Sequence, residues 1–413
     1  MTGSTLDEYP MLLERQRSSR RAPIIHHNNS ETRRHRFLSG APKKLRRSFF
    51  YTIGGSPMKF IHTADIHWGM VPDSDRPWGK KREQAIRLTL QTIVEEAREN
   101  HVDLLLISGD LFHRQPLARD LKEVNYLFAT IPGTRVVIIA GNHDRVRRSS
   151  ALLSFQWSPN VTYFMDEDLS SVYFEDLNTE VFGFSYHTPE ILEDRTAQFT
   201  IPNTHRNKIL MIHGGDAKHL PFDKNAVAAM PFSYIALGHI HKPAILIENK
   251  MAYPGSPEPL DLTETGPHGF YIGELDEISG RVTSLEFRPI SQAQYIPLVV
   301  SVTPATTNLE LSQLIADEIR KRGAGNIYRF RIRGMRDPDV EFDLDFLSGQ
   351  WNIVEILDES EPQYDYHALF AEHPSDMIGF YIRALHKEDM SPVEKKALHY
   401  GIHALLMTKD ERS

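Results

Sequence analysis

The run Val136-Val-Ile-Ile-Ala-Gly-Asn-His-Asp144 joins an apolar stretch to a glycine turn that carries an amide, an imidazole and a carboxylate. Four branched apolar residues ahead of a turn read as a buried strand that delivers polar side chains to its own C-terminal edge. In open α/β sheets that edge is where sites are built. On its own, Gly141-Asn142-His143-Asp144 reads equally well as an ordinary turn; the rest of the chain decides between the two.

Working outward, the pattern from Met58 alternates strand, helix, strand. Lys59 to Ala64 predicts a short strand, Ile86, Leu90, Ile93 and Ala97 place one apolar stripe along a helix, and Val102 to Ser108 predicts a second strand. Leu121, Val124 and Leu127 mark another helix before the Val136 strand. After Ser150 short strands follow one another at Val161 to Phe164, Val172 to Phe174, Val181 to Phe184, Ile209 to Ile212, Tyr234 to Leu237, Phe270 to Leu275 and Val282 to Phe287. A βαβ half followed by short strands predicts a second sheet packed on the first, with helices outside. Residues 58 to 290 then form one domain of ordinary size.

A small α+β unit is expected from residue 291 to 360, with strands at Leu298 to Val302, Ile327 to Ile332 and Trp351 to Leu357 around a helix at Leu309 to Arg322. Residues 361 to 413 predict a linker and two amphipathic helices, Ser375 to Leu385 and Pro392 to Met407. Two such helices cannot bury both apolar stripes on each other, so the segment is expected to dock on the body or on another protein.

The 413 residues hold no cysteine, which excludes disulfides, thiolate catalysis and Cys-zinc sites together. Any metal must bind through His, Asp, Glu or Asn. No apolar run approaches a membrane span and no signal-peptide core precedes the first strand, so a cytoplasmic protein with no membrane role is expected. The net charge of −8 hides an asymmetry: residues 1–57 hold 11 Lys or Arg against 4 Asp or Glu, a charge of +7, which leaves residues 58–413 at −15. So acidic a body is no autonomous DNA clamp, because non-specific nucleic-acid binding rests on phosphate neutralisation. Residues 1–57, with Arg20-Arg21, Arg33-Arg34, Lys43-Lys44 and Arg46-Arg47, read as a disordered basic extension. A nucleic-acid arm or organellar presequence is the alternative. A non-native origin is a further hypothesis, since Gly54-Gly55 is encodable by a ribosome-binding sequence just ahead of Met58.

Five polar clusters stand at or just after the apolar strands: Asp65-Ile66-His67, Gly109-Asp110-Leu111-Phe112-His113, Gly141-Asn142-His143-Asp144, His213-Gly214 and Gly238-His239-Ile240-His241. All would project from one sheet edge. So many ionisable groups repel or desolvate one another unless cations hold them. Carboxylate, amide and imidazole without thiolate suit two six-coordinate Mn²⁺ or Fe²⁺ ions better than a closed zinc site. In Asp65-x-His67 and His239-x-His241 the two-residue spacing predicts that both side chains leave the strand end on one side. Asp110 offers two oxygens and can bridge, Asn142 contributes a neutral oxygen, and the glycines let the backbone approach the metals.

The set D-x-H, G-D-x-x-[DH], G-N-H-[DE], H, G-H-x-H resembles the calcineurin-like metallophosphoesterase signature in its usual order. Within that superfamily the chain looks like the SbcD-type DNA repair exonuclease subunits of the YhaO-like branch, on His62-Thr63-Ala64-Asp65-Ile66-His67, Gly109 to His113, and Tyr253-Pro254-Gly255-Ser256-Pro257 with Gly269-Phe270 behind it. The resemblance implies a four-layer αββα sandwich of two mixed sheets, and two divalent ions, Mn²⁺ ahead of Fe²⁺ or Mg²⁺. Asp65, His67, Asp110 and His241 would hold one ion, and Asp110, Asn142, His213 and His239 the other. His143 would stabilise the transition state or protonate the leaving oxygen, Asp144 would orient it, and His113, where the superfamily usually has Asp, would position the phosphodiester. The implied activity is two-metal hydrolysis of DNA, exonucleolytic or endonucleolytic, leaving 5′-phosphate ends, as a homodimer within a heterotetramer with an SbcC-type coiled-coil ABC ATPase. The alternatives are a phosphodiesterase or phosphatase on small nucleotides or phosphoproteins, and a scaffold with vestigial activity. His62 reads as a packed strand residue, while His101, His187, His386, His399 and His403 read as surface or structural. His219 follows His213 closely enough to line the cleft. Lys80-Lys81-Arg82, Arg114, Arg145 and Arg147-Arg148 read as DNA-phosphate contacts or as solvated loop charges.

Overall fold

The computed structural model describes residues 57–410. The reading of residues 1–57 as a disordered or non-native extension thus falls, but for Pro57, outside the described residues. In chain order the first elements are β1 (Met58–Thr63), α1 (Gly79–Glu99), β2 (Leu104–Ser108), α2 (Ala118–Ala129), β3 (Arg135–Ile139) and β4 (Val161–Tyr163). There follow β5 (Ser170–Phe174), β6 (Thr179–Gly183), β7 (Asn207–His213), α3 (Lys224–Ala229), β8 (Tyr234–Gly238), β9 (Ala244–Ile247) and β10 (Met251–Tyr253), then the hairpin β11 (Gly269–Asp276) and β12 (Arg281–Pro289).

Two six-stranded sheets result, ordered β12-β11-β1-β2-β3-β4 and β5-β6-β7-β8-β10-β9. Strands β1 to β4 run parallel, as do β6, β7, β8 and β10; the remaining strands join antiparallel at the edges. Both faces of the central strands are covered, which is why they read as unbroken apolar runs rather than as alternation. In β2, Leu105 and Ile107 face Ile86, Leu90 and Ile93 of α1 and Leu121, Val124 and Phe128 of α2. Leu104 and Leu106 face the other sheet, meeting Val181, Ile209, Met211 and Tyr234. The far side of the second sheet packs Leu210, Ile212, Ile235 and Leu237 against Val227 of α3 and Phe232. The four layers αββα are therefore present, and each fully buried Leu or Ile contributes about 1.5–3 kcal/mol relative to exposure. The short β9 and β10 lie outside the strands expected above, although Ala244-Ile-Leu-Ile247 is an apolar run, and they extend the sheet from the edge that β8 leaves.

Beyond the hairpin, β13 (Tyr295–Val302), α4 (Asn308–Arg322), β14 (Ile327–Arg336), α5 (Leu344–Gln350) and β15 (Ile353–Asp358) make a smaller sheet whose three strands all run parallel, extended by the two-residue β16 (Glu361–Pro362) beside the end of β14. Helix α4 opens on a capping box: the Thr307 hydroxyl accepts from the Glu310 N–H and Glu310 accepts from the Thr307 N–H.

The chain then forms three helices where two were expected: α6 (Tyr366–Glu372), α7 (Met377–Leu385) and α8 (Pro392–Asp410). The expectation that the stripes cannot be buried within the segment is corrected here. Ile378, Ile382, Leu398 and Ile402 are buried together, covered by Tyr364, Tyr366, Leu369 and Phe370. The additional helix supplies the third wall that a helix pair lacks. Among the described residues, no helix is long and apolar enough to cross a membrane.

Candidate active site and metal centre

Because β1, β2 and β3 are parallel, as are β7 and β8, their C-terminal ends lie on one edge of the sandwich. Beyond β1 and β2 the two chains stay paired through Asp65 N–H to Gly109 C=O (3.1 Å), His67 N–H to Asp110 C=O (2.9 Å) and Trp68 N–H to Leu111 C=O (2.8 Å). This pairing sets Asp65 and His67 beside Asp110. Their convergence does not come from strand alternation, as the spacing suggested. Asp65, His67 and Asp110 all adopt left-handed backbone conformations (φ 52°, 51° and 49°) and His239 has φ 94°. Non-glycine residues pay strain for this conformation, and such strain concentrates at functional sites. A Cβ on Gly141 would fall on the Asp110 carboxylate and the His213 ring, so glycine is required where β3 delivers Asn142.

Four groups of potential ligand atoms result: Asp65 with His67 and His241, Asp65 with Asp110 and His213, His67 with His113 and His143, and Asp216 with His219 and His239. Asn142 Oδ1 lies 3.0 Å from His213 Nε2, and Asp110 Oδ2 lies 3.4 Å from the same nitrogen and 3.7 Å from His67 Nε2. Asp110 thus stands between the two expected ligand sets. His239 is the member that stands apart: its Nε2 is bound to Asp216 at 2.8 Å, so Nδ1 is its remaining ligand nitrogen, and its ring is 5.3 Å from that of His213.

The other nitrogens of these imidazoles are held. His213 Nδ1 lies 2.9 Å from the Ser108 carbonyl and His241 Nδ1 lies 2.6 Å from Glu264 Oε1. Such outer partners fix the tautomer and turn the free nitrogen to a metal. Asp216 and Glu264 were not singled out in the sequence, since neither is adjacent to a motif in register. The Tyr253 to Pro257 segment is where a signal for Glu264 lay: the Ser256 hydroxyl donates to Glu264 Oε2 (2.9 Å) and the Ser256 N–H to the His241 carbonyl (3.1 Å).

The electrostatics divide the four imidazoles into two that are neutral and two that hold a proton, which a bound cation would have to displace. Burial holds His67 well below the usual imidazole range, and burial with His213 alongside brings His239 down to about 4, so both rings are neutral and offer a lone pair. Burial works against protonation of His213 and His241 too, but Asp110 beside the first and Glu264 beside the second overcome it and carry each up to about 9. Burial would raise the Asp110 carboxyl, yet His213 and His67 keep it well below the ordinary carboxylate range. Asp65 is raised, chiefly by burial. A cluster of two carboxylates, an amide oxygen and four imidazoles, buried at Asp65, His67, Asp110 and His213 and half-buried at Asn142, His239 and His241, with no thiolate, is a donor set for hard or borderline divalent ions.

Of the residues expected to act on substrate, His143 is exposed at the mouth, its N–H donating to Asp110 Oδ1 (2.9 Å) and its Nδ1 lying 3.0 Å from the His113 carbonyl. His113 stacks on it, ring centroids 5.2 Å apart. Asp144 does not orient His143, contrary to expectation. Its buried carboxylate accepts from Gly141 N–H (2.8 Å), Phe112 N–H (3.2 Å) and the Tyr163 hydroxyl (3.4 Å). It therefore ties the β3 loop to the β2 loop and acts on the backbone rather than on the ring. His62 is buried between the sheets, 2.8 Å from the Tyr234 hydroxyl and 3.0 Å from the Leu237 carbonyl. Arg82 is no phosphate contact: it is 3% exposed and paired with Glu258. His219 does reach the cleft, 3.0 Å from Asp216.

A carboxylate–imidazole cluster with the donor set of a divalent-metal site, at the C-terminal edge of an αββα sandwich, is that of a metal-dependent phosphoester hydrolase. Residues 58–243 match the family model of calcineurin-like phosphoesterases, and the chain carries a domain of that family, whose members bind divalent metals. Over 300 residues it is 27% identical to the uncharacterized metallophosphoesterase YhaO of Bacillus subtilis, covering 67% of this chain and 72% of that one. It is 27% identical over 277 residues to the DNA double-strand break repair protein Mre11 of Methanopyrus kandleri, covering 59% of each, and 29% identical over 257 residues to Mre11 of Methanocaldococcus jannaschii, covering 58% of this chain and 68% of that one. The match thus spans less than two thirds of the Methanopyrus protein.

Proposed function

We propose that the protein is a nuclease subunit that hydrolyses DNA phosphodiester bonds with two divalent ions, Mn²⁺ foremost. The observation that carries this reading is the stacked pair His113 and His143 at the open mouth of the ligand cluster, with His143 pinned through its backbone to Asp110. Bound at Asp65, His67, Asp110 and His241, and at Asp110, Asn142, His213 and His239, the ions would supply Lewis-acid charge neutralisation and an activated water. His143 then faces the reacting phosphate, as hydrogen-bond donor to a phosphoryl oxygen and as the proton source for the leaving oxygen. His113 sets the ring plane of His143 and borders the substrate path. Asp144 keeps the two loops in register.

The reading extends to DNA repair with an SbcC-type ATPase, the chain acting as a homodimer within a heterotetramer. Its support is the C-terminal helices, which bury one side in their own core yet leave Met377, Phe380, Val393 and Met407 each more than half exposed. Deletion of residues 361–413 is expected to abolish ATPase binding and spare hydrolysis of a small phosphodiester; unchanged complex formation would sink the partner assignment. The charge of −15 on residues 58–413 favours a second reading, a phosphodiesterase or phosphatase on small substrates, since such a body lacks a general attraction for DNA. Purified protein with Mn²⁺, offered linear duplex, single-stranded DNA, a chromogenic phosphodiester and a phosphomonoester, separates the two: turnover of the small esters alone would overturn the DNA reading.

A further inference from the structure

One flank of the metal cluster is acidic and the other is basic. Asp216 and Glu264 stand behind His239 and His241. On the opposite side, a cavity of about 450 Å³ beside His113 and His143 is bordered by Arg114, Arg145 and Arg147. That volume suits a nucleotide-sized group. Among the described residues these three arginines have no carboxylate partner, whereas Arg82, Arg87, Arg135 and Arg195 each pair with one.

The two loops that carry them, Arg114 after β2 and Arg145 and Arg147 after β3, are tied to each other and to the body. Arg145 Nη1 donates to the Asn142 carbonyl (3.1 Å), Gln115 Nε2 donates to the Arg145 carbonyl (2.8 Å), and the Val146 N–H donates to the Tyr186 carbonyl (2.7 Å). Val146 is buried, so Arg145 and Arg147 on either side of it are displayed at the cavity. Guanidinium groups of this kind are matched by phosphate oxygens, which they hold in bidentate fashion.

We propose that Arg114, Arg145 and Arg147 form a phosphate-binding arm for the backbone of a nucleic-acid strand next to the scissile bond, which makes a polynucleotide the preferred substrate and directs the strand over the His143 side. The proposal rests on the reading of the metal centre as a phosphodiester hydrolase. It also answers the difficulty posed by the acidic body, because the grip is local.

The test uses the full chain with Arg114→Gln, Arg145→Gln and Arg147→Gln combined, beside a triple Lys variant that keeps the charge. With Mn²⁺, the ratio of kcat/KM on a single-stranded oligonucleotide to kcat/KM on bis(p-nitrophenyl) phosphate is expected to fall at least tenfold in the Gln variant and to recover in large part in the Lys variant. Oligonucleotide binding, followed by fluorescence anisotropy across a salt series in the His143→Ala background, is expected to lose about 2 from its log–log salt slope, three single-strand phosphate contacts at about 0.7 each. An equal fall on both substrates, or an unchanged salt slope, overturns the proposal. Should the triple Gln variant fail to fold, Arg147→Gln alone, at an exposed position, reads the same slope and is expected to lose about 0.7. If the slope changes while the unsubstituted protein cleaves only the small ester, the arginine arm stands and the DNA-hydrolysis reading falls.

Discussion

Glu264 Oε1 lies 2.6 Å from Nδ1 of His241, and the same carboxylate accepts from the Ser256 hydroxyl (2.9 Å) and the Leu260 N–H (2.8 Å). The first contact orients a candidate metal ligand; the other two hold the carboxylate still. Outer partners of ligating histidines typically carry 10–100-fold in metal affinity. Glu264→Gln keeps the size and the hydrogen bonds from Leu260 and Ser256, and is expected to weaken Mn²⁺ binding about tenfold by calorimetric titration while leaving the melting temperature of the metal-free protein near that of the parent. Undiminished affinity would show that His241 needs no support.

Asp110 and His143 are joined by one hydrogen bond yet have separable roles. Asp110→Asn removes the negative charge between the two ligand groups and is expected to lose bound metal together with turnover. His143→Ala removes an exposed ring that the proposed ligand sets leave out and is expected to retain both ions, with a kcat loss on the order of 10²–10⁴. Elemental analysis of the two purified variants checks the division; a metal-free His143→Ala protein would contradict it.

Glu258 is 1% exposed and gathers Arg82, the Thr89 hydroxyl (3.1 Å) and the Gln292 N–H (2.7 Å) on its two oxygens. It thereby fastens α1 to the segment that leads into β13. Removing one partner of a buried ion pair leaves an uncompensated charge, which costs about 3–5 kcal/mol. Glu258→Ala is expected to lower stability in urea by that amount. A loss under about 1 kcal/mol would mean that water replaces the carboxylate.

His62 is pushed down to about 3, burial opposing its protonation more than the Leu237 carbonyl favours it. A folded-state value below the unfolded one of about 6.5 means that the unfolded chain takes up the proton first. The stability that neutral His62 represents is full above about pH 6.5 and is lost as pH falls from there towards 3. The stability difference between the parent and His62→Gln should therefore shrink by up to about 1.4 kcal/mol per pH unit across that window, measured by denaturant titration of metal-free protein. A difference independent of pH would indicate that the ring is solvated.

The sandwich was legible because both sheet faces are covered: Leu104 to Ile107 and Val136 to Ile139 had to be wholly apolar, and glycine turns follow them at Gly109 and Gly141. The candidate ligand residues were legible for the same reason, since each stands at or just after the end of a strand whose direction parallel pairing shares. The third helix of the C-terminal segment was not, because Tyr366 to Glu372 is only seven residues long and none of them is fully buried. Nor was the inward fate of Arg82, whose neighbours Lys80 and Lys81 are exposed.

The sequence by itself determined which side chains stand at strand ends, for strand boundaries and turn chemistry are local matters. Only the tertiary structure decided what each of them faces. Left-handed Asp65 and His67 reach Asp110 because two loops remain hydrogen-bonded past their strands. Asp144 turns to the backbone of Gly141 and Phe112 because it is buried among unpaired N–H groups. Asp216 and Glu264 become partners of His239 and His241 from 23 residues away in each case. Such contacts depend on the chain folding back over distances at which no local rule relates one residue to the other.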